Sequence, residues 1–358
     1  MGRKRMICLT ITKNEEKQRL DRFLKKYLRN ASLSHIYRMI RKDVKLNGRR
    51  AGIDALLAEG DCVTIHISDE AAGAFRAQKP ESKGRRQFRI AYEDDNVLIV
   101  NKPFGLLTHG DRLEKKHTLS NQVASYLAER GDYDPCGERT FAPAPVNRLD
   151  RNTTGLVIFG KTFEALRILN YMIRERGYIG KYYLTVVRGE ADGELVLRDL
   201  MKKDARSNTV RVVRGEADGG AGERMMETTA RPVAVANGFT LMEVELITGR
   251  THQIRAHLAR AGYPVIGDPK YGDPDANLAV ERKYGLTTQF LHAHRLAFEK
   301  GEGGLSYLGG LAVEAPLPQQ LERIRAELFG ADTEKAPNKI SRKDRFPADG
   351  ARGKRQKA

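Results

Sequence analysis

One aspartate in the sequence lies among residues whose types suit catalysis. Asp150 stands between Arg148 and Arg151 in the segment N-R-L-D-R-N-T-T-G, and the apolar run 156–159 follows shortly after it. The apolar run predicts a buried strand, so the loop before it would hold the carboxylate on a rigid scaffold. An aspartate here could equally cap a turn through neighbouring amides, and the spacing by itself favours that simpler role.

Two later segments contain further residues of chemical interest. The first is K-Y-Y-L at 181–184, and the second is T-G-R-T-H-Q-I-R-A-H at 248–257. Together with the Asp150 segment, and in the same order along the chain, they resemble the motifs of the RluA family of RNA pseudouridine synthases. The resemblance extends over about residues 18–328.

The sequence also departs from the family pattern near Asp150. The family usually has H-R-L-D-x-x-T-S-G, whereas this chain has Asn147 at the first position and Thr154 at the eighth. At the variable sixth position, where Asp is frequent in the family, it has Asn152. The threonine keeps the hydroxyl group, but Asn147 removes a titratable side chain. A further segment, N-K-P-x-G at 101–105, agrees with the family.

The resemblance implies roles for four residues. Asp150 would be the essential catalytic carboxylate, which either attacks the sugar or removes a proton. Tyr183 would stack on the target base. A tyrosine in a strand can instead pack into the core, and this simpler role fits Tyr182 at least as well as Tyr183, because neighbouring strand residues point to opposite faces. Arg255 would pair with Asp150, and Arg148 would fill the gap left by the flipped uridine or contact a phosphate. The reaction needs no metal or organic cofactor.

The composition fits a soluble globular protein. The chain has 358 residues, of which 40% are hydrophobic and 30% charged. No apolar run approaches the roughly 20 residues of a transmembrane helix, so we expect no membrane contact. Cys8, Cys62 and Cys136 form no C-x-x-C pair, so we expect reduced thiols in a cytoplasmic protein.

Positive charge is concentrated at the two ends of the chain, whose net charge is +17. Residues 1–86 contain 21 Lys and Arg against 10 Asp and Glu, and residues 331–358 contain 9 against 4. The residues between these segments are therefore nearly neutral. Clustered cations favour a polyanionic partner such as RNA, because binding releases counterions.

Residues 18–67 predict a compact module of two helices, a hairpin and an alternating strand. Apolar residues recur at helical spacing in 20–28 and 36–40, and Asn47-Gly48 predicts the hairpin turn. The order resembles the small RNA-binding domain first described in a ribosomal small-subunit protein. Its basic face would bind RNA, although such faces are often only solvated. We call its members the six N-terminal cations: Arg38, Arg41, Lys42, Lys45, Arg49 and Arg50.

The fold class predicted is α+β, with a mixed, mostly antiparallel central sheet in the catalytic domain and a small α/β RNA-binding domain before it. We expect the RNA-binding domain at 1–70, with its core at 18–67, and a flexible linker at 71–87. The catalytic domain would span 88–329. Residues 330–358 are basic with almost no apolar content, so we expect a disordered tail.

The sequence favours an RNA pseudouridine synthase over other classes of protein. A non-catalytic RNA-binding or ribosome-assembly factor would have no need to keep Asp150, Tyr183 and Arg255 together. A glycoside hydrolase would need a second carboxylate near Asp150. The histidines lack the spacing of zinc ligands, so the sequence does not indicate a zinc site. Large-subunit ribosomal RNA is the expected substrate, with transfer RNA second, and we expect a monomer.

Deleting residues 1–70 should weaken RNA binding and flatten its salt dependence, because the deletion removes much of the positive charge. The measurement is the dissociation constant of full-length and truncated protein for the same RNA, between about 50 and 200 mM salt. Equal affinities and equal slopes would mean that the rest of the chain holds the RNA by itself.

Overall fold

The computed structural model of the protein describes residues 4–28, 30–68, 86–111, 113–135, 140–204, 209–213 and 223–330. The N-terminal part of the chain forms a small sheet with two helices. Its elements are β1 (Lys4–Thr10), α1 (Leu20–Tyr27), α2 (Leu33–Lys42), β2 (Val44–Leu46) and β3 (Cys62–Ser68). The strands pair antiparallel in the order β1-β3-β2.

The two N-terminal helices bury the apolar stripes that their spacing predicts. Ser32 Oγ accepts a hydrogen bond from the backbone N–H of His35 and caps α2. Asn47 and Gly48 have φ values of 49° and 76°, which confirms the predicted two-residue turn. The buried helix residues include Leu20, Phe23, Leu24, Ile36, Met39 and Ile40.

Strand β1 was not predicted from the sequence, and it changes the interpretation of the cysteines. Its register places Cys8 opposite Thr64 and Thr10 opposite Cys62, so the two cysteines lie diagonally across the strand pair. They are joined in a disulfide with a Cα–Cα distance of 6.3 Å. The expectation of reduced thiols is wrong for this pair, because residues 54 positions apart become neighbours only when β1 joins the sheet. Cys136 lies outside the described residues.

The remaining described strands form one large sheet. They are β4 (Arg89–Glu93), β5 (Val97–Lys102), β6 (Ala144–Pro145), β7 (Thr154–Gly160), β8 (Ile179–Arg188), β9 (Leu195–Asp204), β10 (Thr209–Val213), β11 (Glu223–Ala236), β12 (Phe239–Leu246), β13 (Leu291–Phe298) and β14 (Ala312–Glu314). The strand order is β10-β9-β11-β12-β8-β13-β7-β5-β4, with β14 beside β13 and β6 beside β7. Every described pair is antiparallel except β7–β13, which confirms the predicted mixed, mostly antiparallel sheet.

Five helices accompany the large sheet in the part of the chain that the structure describes. They are α3 (Leu119–Arg130), α4 (Phe163–Arg174), α5 (Gln253–Arg260), α6 (Pro274–Tyr284) and α7 (Gln319–Phe329). The helices predicted near 120–130, 163–174 and 251–261 are confirmed. None of the described helices is long and apolar enough to span a bilayer. The predicted linker and basic tail lie almost entirely outside the described residues.

The parallel pair β7–β13 lies in the interior of the sheet, and its close contact depends on Gly155. Ala293 lies opposite Gly155 and His292 opposite Thr154. Gly155 has a φ of +110°, and a Cβ there would lie 2.2 Å from the Ala293 carbonyl oxygen. Only glycine tolerates both conditions. Helix α3 packs on one face of β7 and α4 on the other, so the strand after Asp150 is held on all sides.

The N-terminal unit contacts the large sheet at the start of α4. Asn14 Oδ1 accepts a hydrogen bond from the backbone N–H of Phe163 at 3.1 Å. Lys26 Nζ lies 5.0 Å from the centre of the Phe163 ring. The Thr140 hydroxyl donates to the buried Glu15 carboxylate at 3.3 Å. These contacts place the N-terminal unit beside α4.

Replacing Gly155 with alanine should destabilise the fold, because the new Cβ would overlap the Ala293 carbonyl at a strained φ. We expect the free energy of unfolding to fall by roughly 3 kcal/mol or more. Urea denaturation followed by circular dichroism measures this difference. Gly193→Ala is the matched control, since a Cβ there meets nothing within 4 Å. Equal stabilities of the two variants would contradict the packing argument.

Candidate active site

Asp150 lies in the segment between β6 and β7, and hydrogen bonds hold the backbone around it. The Thr108 hydroxyl donates to the Leu149 carbonyl oxygen (3.0 Å) and accepts from the Leu149 N–H (3.2 Å). The Thr153 N–H donates to the Asp150 carbonyl oxygen at 3.1 Å and closes a turn. The Asp150 side chain is 31% exposed and lines a cavity. The carboxylate is therefore accessible while its backbone is held.

Lys102, at the end of β5, holds the Asp150 segment from inside the protein. Its ammonium group donates to the carbonyl oxygens of Pro103 (3.1 Å), Leu106 (2.9 Å) and Arg151 (3.0 Å). Burial lowers the pKa of Lys102 to about 7, and the Asp150 carboxylate opposes this shift. The N-K-P segment is visible in the sequence, but the sequence did not predict a role for Lys102.

Arg255 on α5 connects Asp150 with a second, buried carboxylate. Arg255 Nη1 donates to Asp150 Oδ2 at 3.0 Å. Arg255 Nε and Nη2 donate to the two oxygens of Asp268 at 2.6 and 2.7 Å. Asp268 is only 1% exposed and also accepts from the N–H groups of Lys270 and Tyr271. This bidentate contact fixes the plane of the guanidinium, and sequence reasoning missed Asp268.

His252 is the third side chain near the Asp150 carboxylate. Its Nε2 lies 3.7 Å from Asp150 Oδ2, and its Nδ1 lies 3.0 Å from the Tyr271 hydroxyl. Burial lowers the pKa of His252, although Asp150 opposes the shift, so the neutral ring is favoured. The sequence predicted only a polar structural role for His252. The segment 268–271 thus orients two of the partners of Asp150, Arg255 through Asp268 and His252 through Tyr271.

Tyr183 on β8 lines the same cavity as Asp150. Burial, with a contribution from the Asp150 charge, raises the pKa of Tyr183 far above its ordinary value, so the phenol stays neutral. Tyr182 lies on the other face of the strand, where the Arg295 guanidinium is 3.7 Å from its ring centre. Of the two tyrosines, only Tyr183 can therefore contact a base bound next to Asp150.

The cavity has a volume of about 450 Å³, a size suited to a small organic group. Asp150 is the only acidic residue among its described lining residues. Arg148 is exposed and lines the same cavity. The basic residues of the lining are Arg148, Arg174, Arg176, Lys181 and Arg250. The cavity thus combines one carboxylate with cations that attract an anionic substrate.

The six N-terminal cations are exposed and lie on the N-terminal unit, apart from the cavity. Arg38 Nη2 contacts His35 Nδ1 at 2.9 Å, and Arg41 Nε donates to the Tyr37 carbonyl oxygen at 3.3 Å. No carboxylate of a described residue forms an ion pair with any of the six. The structure therefore brings the predicted catalytic residues and Arg148 together, while the six N-terminal cations form a second surface.

Asn147, which replaces the histidine usual in the family, bonds to the backbone of β7. Its Nδ2 donates to the Leu156 carbonyl oxygen at 3.2 Å, and its Oδ1 accepts from the Ile158 N–H at 2.9 Å. The side chain therefore helps to join β6 and β7. Because its polar atoms are used in this way, Asn147 does not serve the Asp150 carboxylate.

The arrangement suits chemistry that needs a single carboxylate. Asp268, the nearest other acid in the contacts of Arg255, is buried and bonded on both oxygens, so it is not a second reacting carboxylate for glycoside hydrolysis. The described residues contain no group of three or more metal-ligating side chains. What the site offers is one oriented carboxylate, a neutral phenol and a basic rim.

Comparisons with known proteins find related pseudouridine synthases. A family model described as RNA pseudouridylate synthase matches residues 96–260. Ribosomal large subunit pseudouridine synthase C of Escherichia coli (strain K12) is 34% identical over 335 residues, covering 90% of this chain and 97% of that protein. The protein of the same name from Haemophilus ducreyi is 34% identical over 335 residues, covering 89% and 94%.

Among solved structures, Human RNA Pseudouridylate Synthase Domain Containing 4 shares the fold. The TM-score between the two structures is 0.51 at 21% sequence identity, and the match covers 66% of this chain and 92% of that chain. The chain belongs to the RluA family of RNA pseudouridine synthases. It is an isomerase that converts uridine to pseudouridine in RNA, which confirms the fold class and the activity expected from the sequence.

Replacing Asp268 with asparagine should lower kcat by about 100-fold, because Arg255 loses its bidentate, charged partner and no longer orients Asp150. We expect the KM for RNA to change by less than about threefold, since Asp268 is buried away from the RNA. Tritium release from RNA labelled at carbon 5 of uridine measures both constants. Asp192→Asn, at an exposed position, is the control. An unchanged kcat would exclude this role of Asp268.

Proposed function

We propose that this protein isomerises specific uridines of large-subunit ribosomal RNA, with Asp150 as the catalytic carboxylate. The observation that carries the proposal is the cavity in which Asp150, held by Arg255 at 3.0 Å, lies beside the buried Tyr183. The choice of RNA is supported by the relatives that match nearly the whole chain, which are named ribosomal large subunit pseudouridine synthases.

The reaction breaks the bond between nitrogen 1 of uracil and the ribose, turns the base, and joins carbon 5 to the same sugar carbon. Carbon 5 then releases its proton to solvent, and nitrogen 1 gains a proton. The uridine leaves its stack and enters the cavity, where the opened bond is shielded from water. Asp150 either attacks the sugar carbon or removes a proton from the sugar. Both routes need a carboxylate held in a fixed orientation, and the contact with Arg255 provides that orientation.

Tyr183 and Arg148 act on the flipped nucleotide and on the RNA that it leaves. Tyr183 stacks on the uracil ring, and burial keeps its phenol neutral by raising its pKa. Arg148 is exposed next to the catalytic loop, so it can enter the gap in the RNA stack. Neither role requires a cofactor.

Residues 1–70 serve as an RNA-binding domain for the catalytic domain at 88–329. The exposure of the six N-terminal cations supports this assignment, since exposed cations can bind phosphates. We infer that the enzyme works as a monomer, and the fact that one chain supplies Asp150, Tyr183 and the other described lining residues supports this. We further propose that the enzyme is cytoplasmic, which the proposed action on ribosomal RNA supports.

The test is pseudouridine mapping across the transcriptome of cells that lack the protein, complemented by wild type or Asp150→Asn. We expect a few sites in large-subunit ribosomal RNA to disappear and to return only with the wild type, since asparagine lacks the catalytic charge. Purified Asp150→Asn should bind RNA within about twofold of wild type, because the basic surfaces are unchanged.

Other outcomes would each change the proposal. Sites lost only from transfer RNA would identify a different substrate, and sites restored by Asp150→Asn would exclude a catalytic role for this residue. If no site depends on the protein, activity of the purified enzyme on ribosomal RNA transcripts decides between redundancy and a non-catalytic RNA-binding factor.

A further inference from the structure

Lys181 has an unusual position for a lysine. It lies two residues before Tyr183 on β8, so both side chains are on one face of the strand and line the Asp150 cavity. Only 9% of Lys181 is exposed. Among the described residues, its ammonium group has no hydrogen bond and no carboxylate within 4.0 Å.

A nearly buried ammonium group without a partner is unfavourable, because desolvation penalises its charge. Burial lowers the pKa of Lys181, and the field of Glu245 on the neighbouring strand β12 opposes this shift. Glu245 lies opposite Tyr182 in the strand register, so it is not placed to bond Lys181 directly. The described protein groups therefore leave this ammonium group free to bind an anion that enters the cavity.

We propose that Lys181 binds a backbone phosphate of the RNA next to the flipped uridine, a contact that rests on the proposed function. Alternate residues on a strand are about 6.6 Å apart. This spacing is similar to the distance between the base and the phosphate of one nucleotide. A nucleotide whose base stacks on Tyr183 therefore places a phosphate near Lys181.

The other cations of the lining differ from Lys181 in their surroundings. Arg176 is exposed and pairs with Glu227, and the exposed Arg250 donates to the Met225 carbonyl oxygen at 3.4 Å. These arginines form an outer rim that attracts the polyanion in a general way. Lys181 lies deeper, with no described partner to compete, so it determines how far the nucleotide enters the cavity.

Lys181→Met tests the contact, because methionine keeps an unbranched chain and removes only the charge. We expect KM for large-subunit ribosomal RNA to rise about tenfold and kcat to fall far less, since the contact is made before the reaction as well as during it. The slope of log KM against log salt should decrease by roughly one. Lys181→Arg should recover most of the affinity.

Lys283→Met is the matched control, because Lys283 lies on α6 and does not line the cavity. Its KM and salt slope should equal those of the wild type. If Lys181→Met proves poorly folded by thermal melting, Lys181→Gln provides the same comparison with a polar, neutral side chain.

The proposal is overturned if Lys181→Met lowers kcat with KM and salt slope unchanged, or if Lys181→Arg is as defective as Lys181→Met. Failure of the proposed function looks different, since the wild type would then release no tritium from ribosomal or transfer RNA. In that case equilibrium binding of the same ribosomal RNA tests Lys181, and equal affinities of wild type and Lys181→Met would refute the phosphate contact.

Discussion

The shared guanidinium of Arg255 is the interaction on which the rest of the site depends. It bonds Asp150 at 3.0 Å and the buried Asp268 at 2.6 and 2.7 Å, so one cation lies between two carboxylates. Removing Arg255 would leave the buried Asp268 carboxylate uncompensated, at a cost of about 3–5 kcal/mol. Orientation of the proposed catalytic carboxylate and stability of the domain are therefore linked through the Arg255 side chain.

This ion pair is useful only because the backbone that carries Asp150 is held from several directions. Lys102 bonds the Arg151 carbonyl oxygen, and Thr108 bonds both polar groups of Leu149. Strand β7 then lies in the interior of the sheet, where helices bury both of its faces. A reacting group so constrained needs little reorganisation, which is how a rigid site lowers an activation barrier.

Charge along the chain complements this arrangement. The catalytic body is nearly neutral, whereas the N-terminal unit is strongly basic and contacts the start of α4. The C-terminal end of α4 provides Arg174 to the cavity lining, so the N-terminal unit and the cavity contact opposite ends of one helix. Under the proposed RNA-binding role of the N-terminal unit, its positive charge would guide association of the RNA more than it determines the reaction.

The sequence by itself determined the family and most helix positions, because motifs, caps and apolar spacing are local properties. The pairing of Arg255 with Asp150 was predicted through family resemblance alone. The tertiary structure decided the rest: the contact of Asp268 with Arg255, the membership of β1 in the N-terminal sheet and the Cys8–Cys62 disulfide. Each depends on sheet register and on loops that bring distant residues within a few ångströms, and no local pattern in a single sequence encodes such distances.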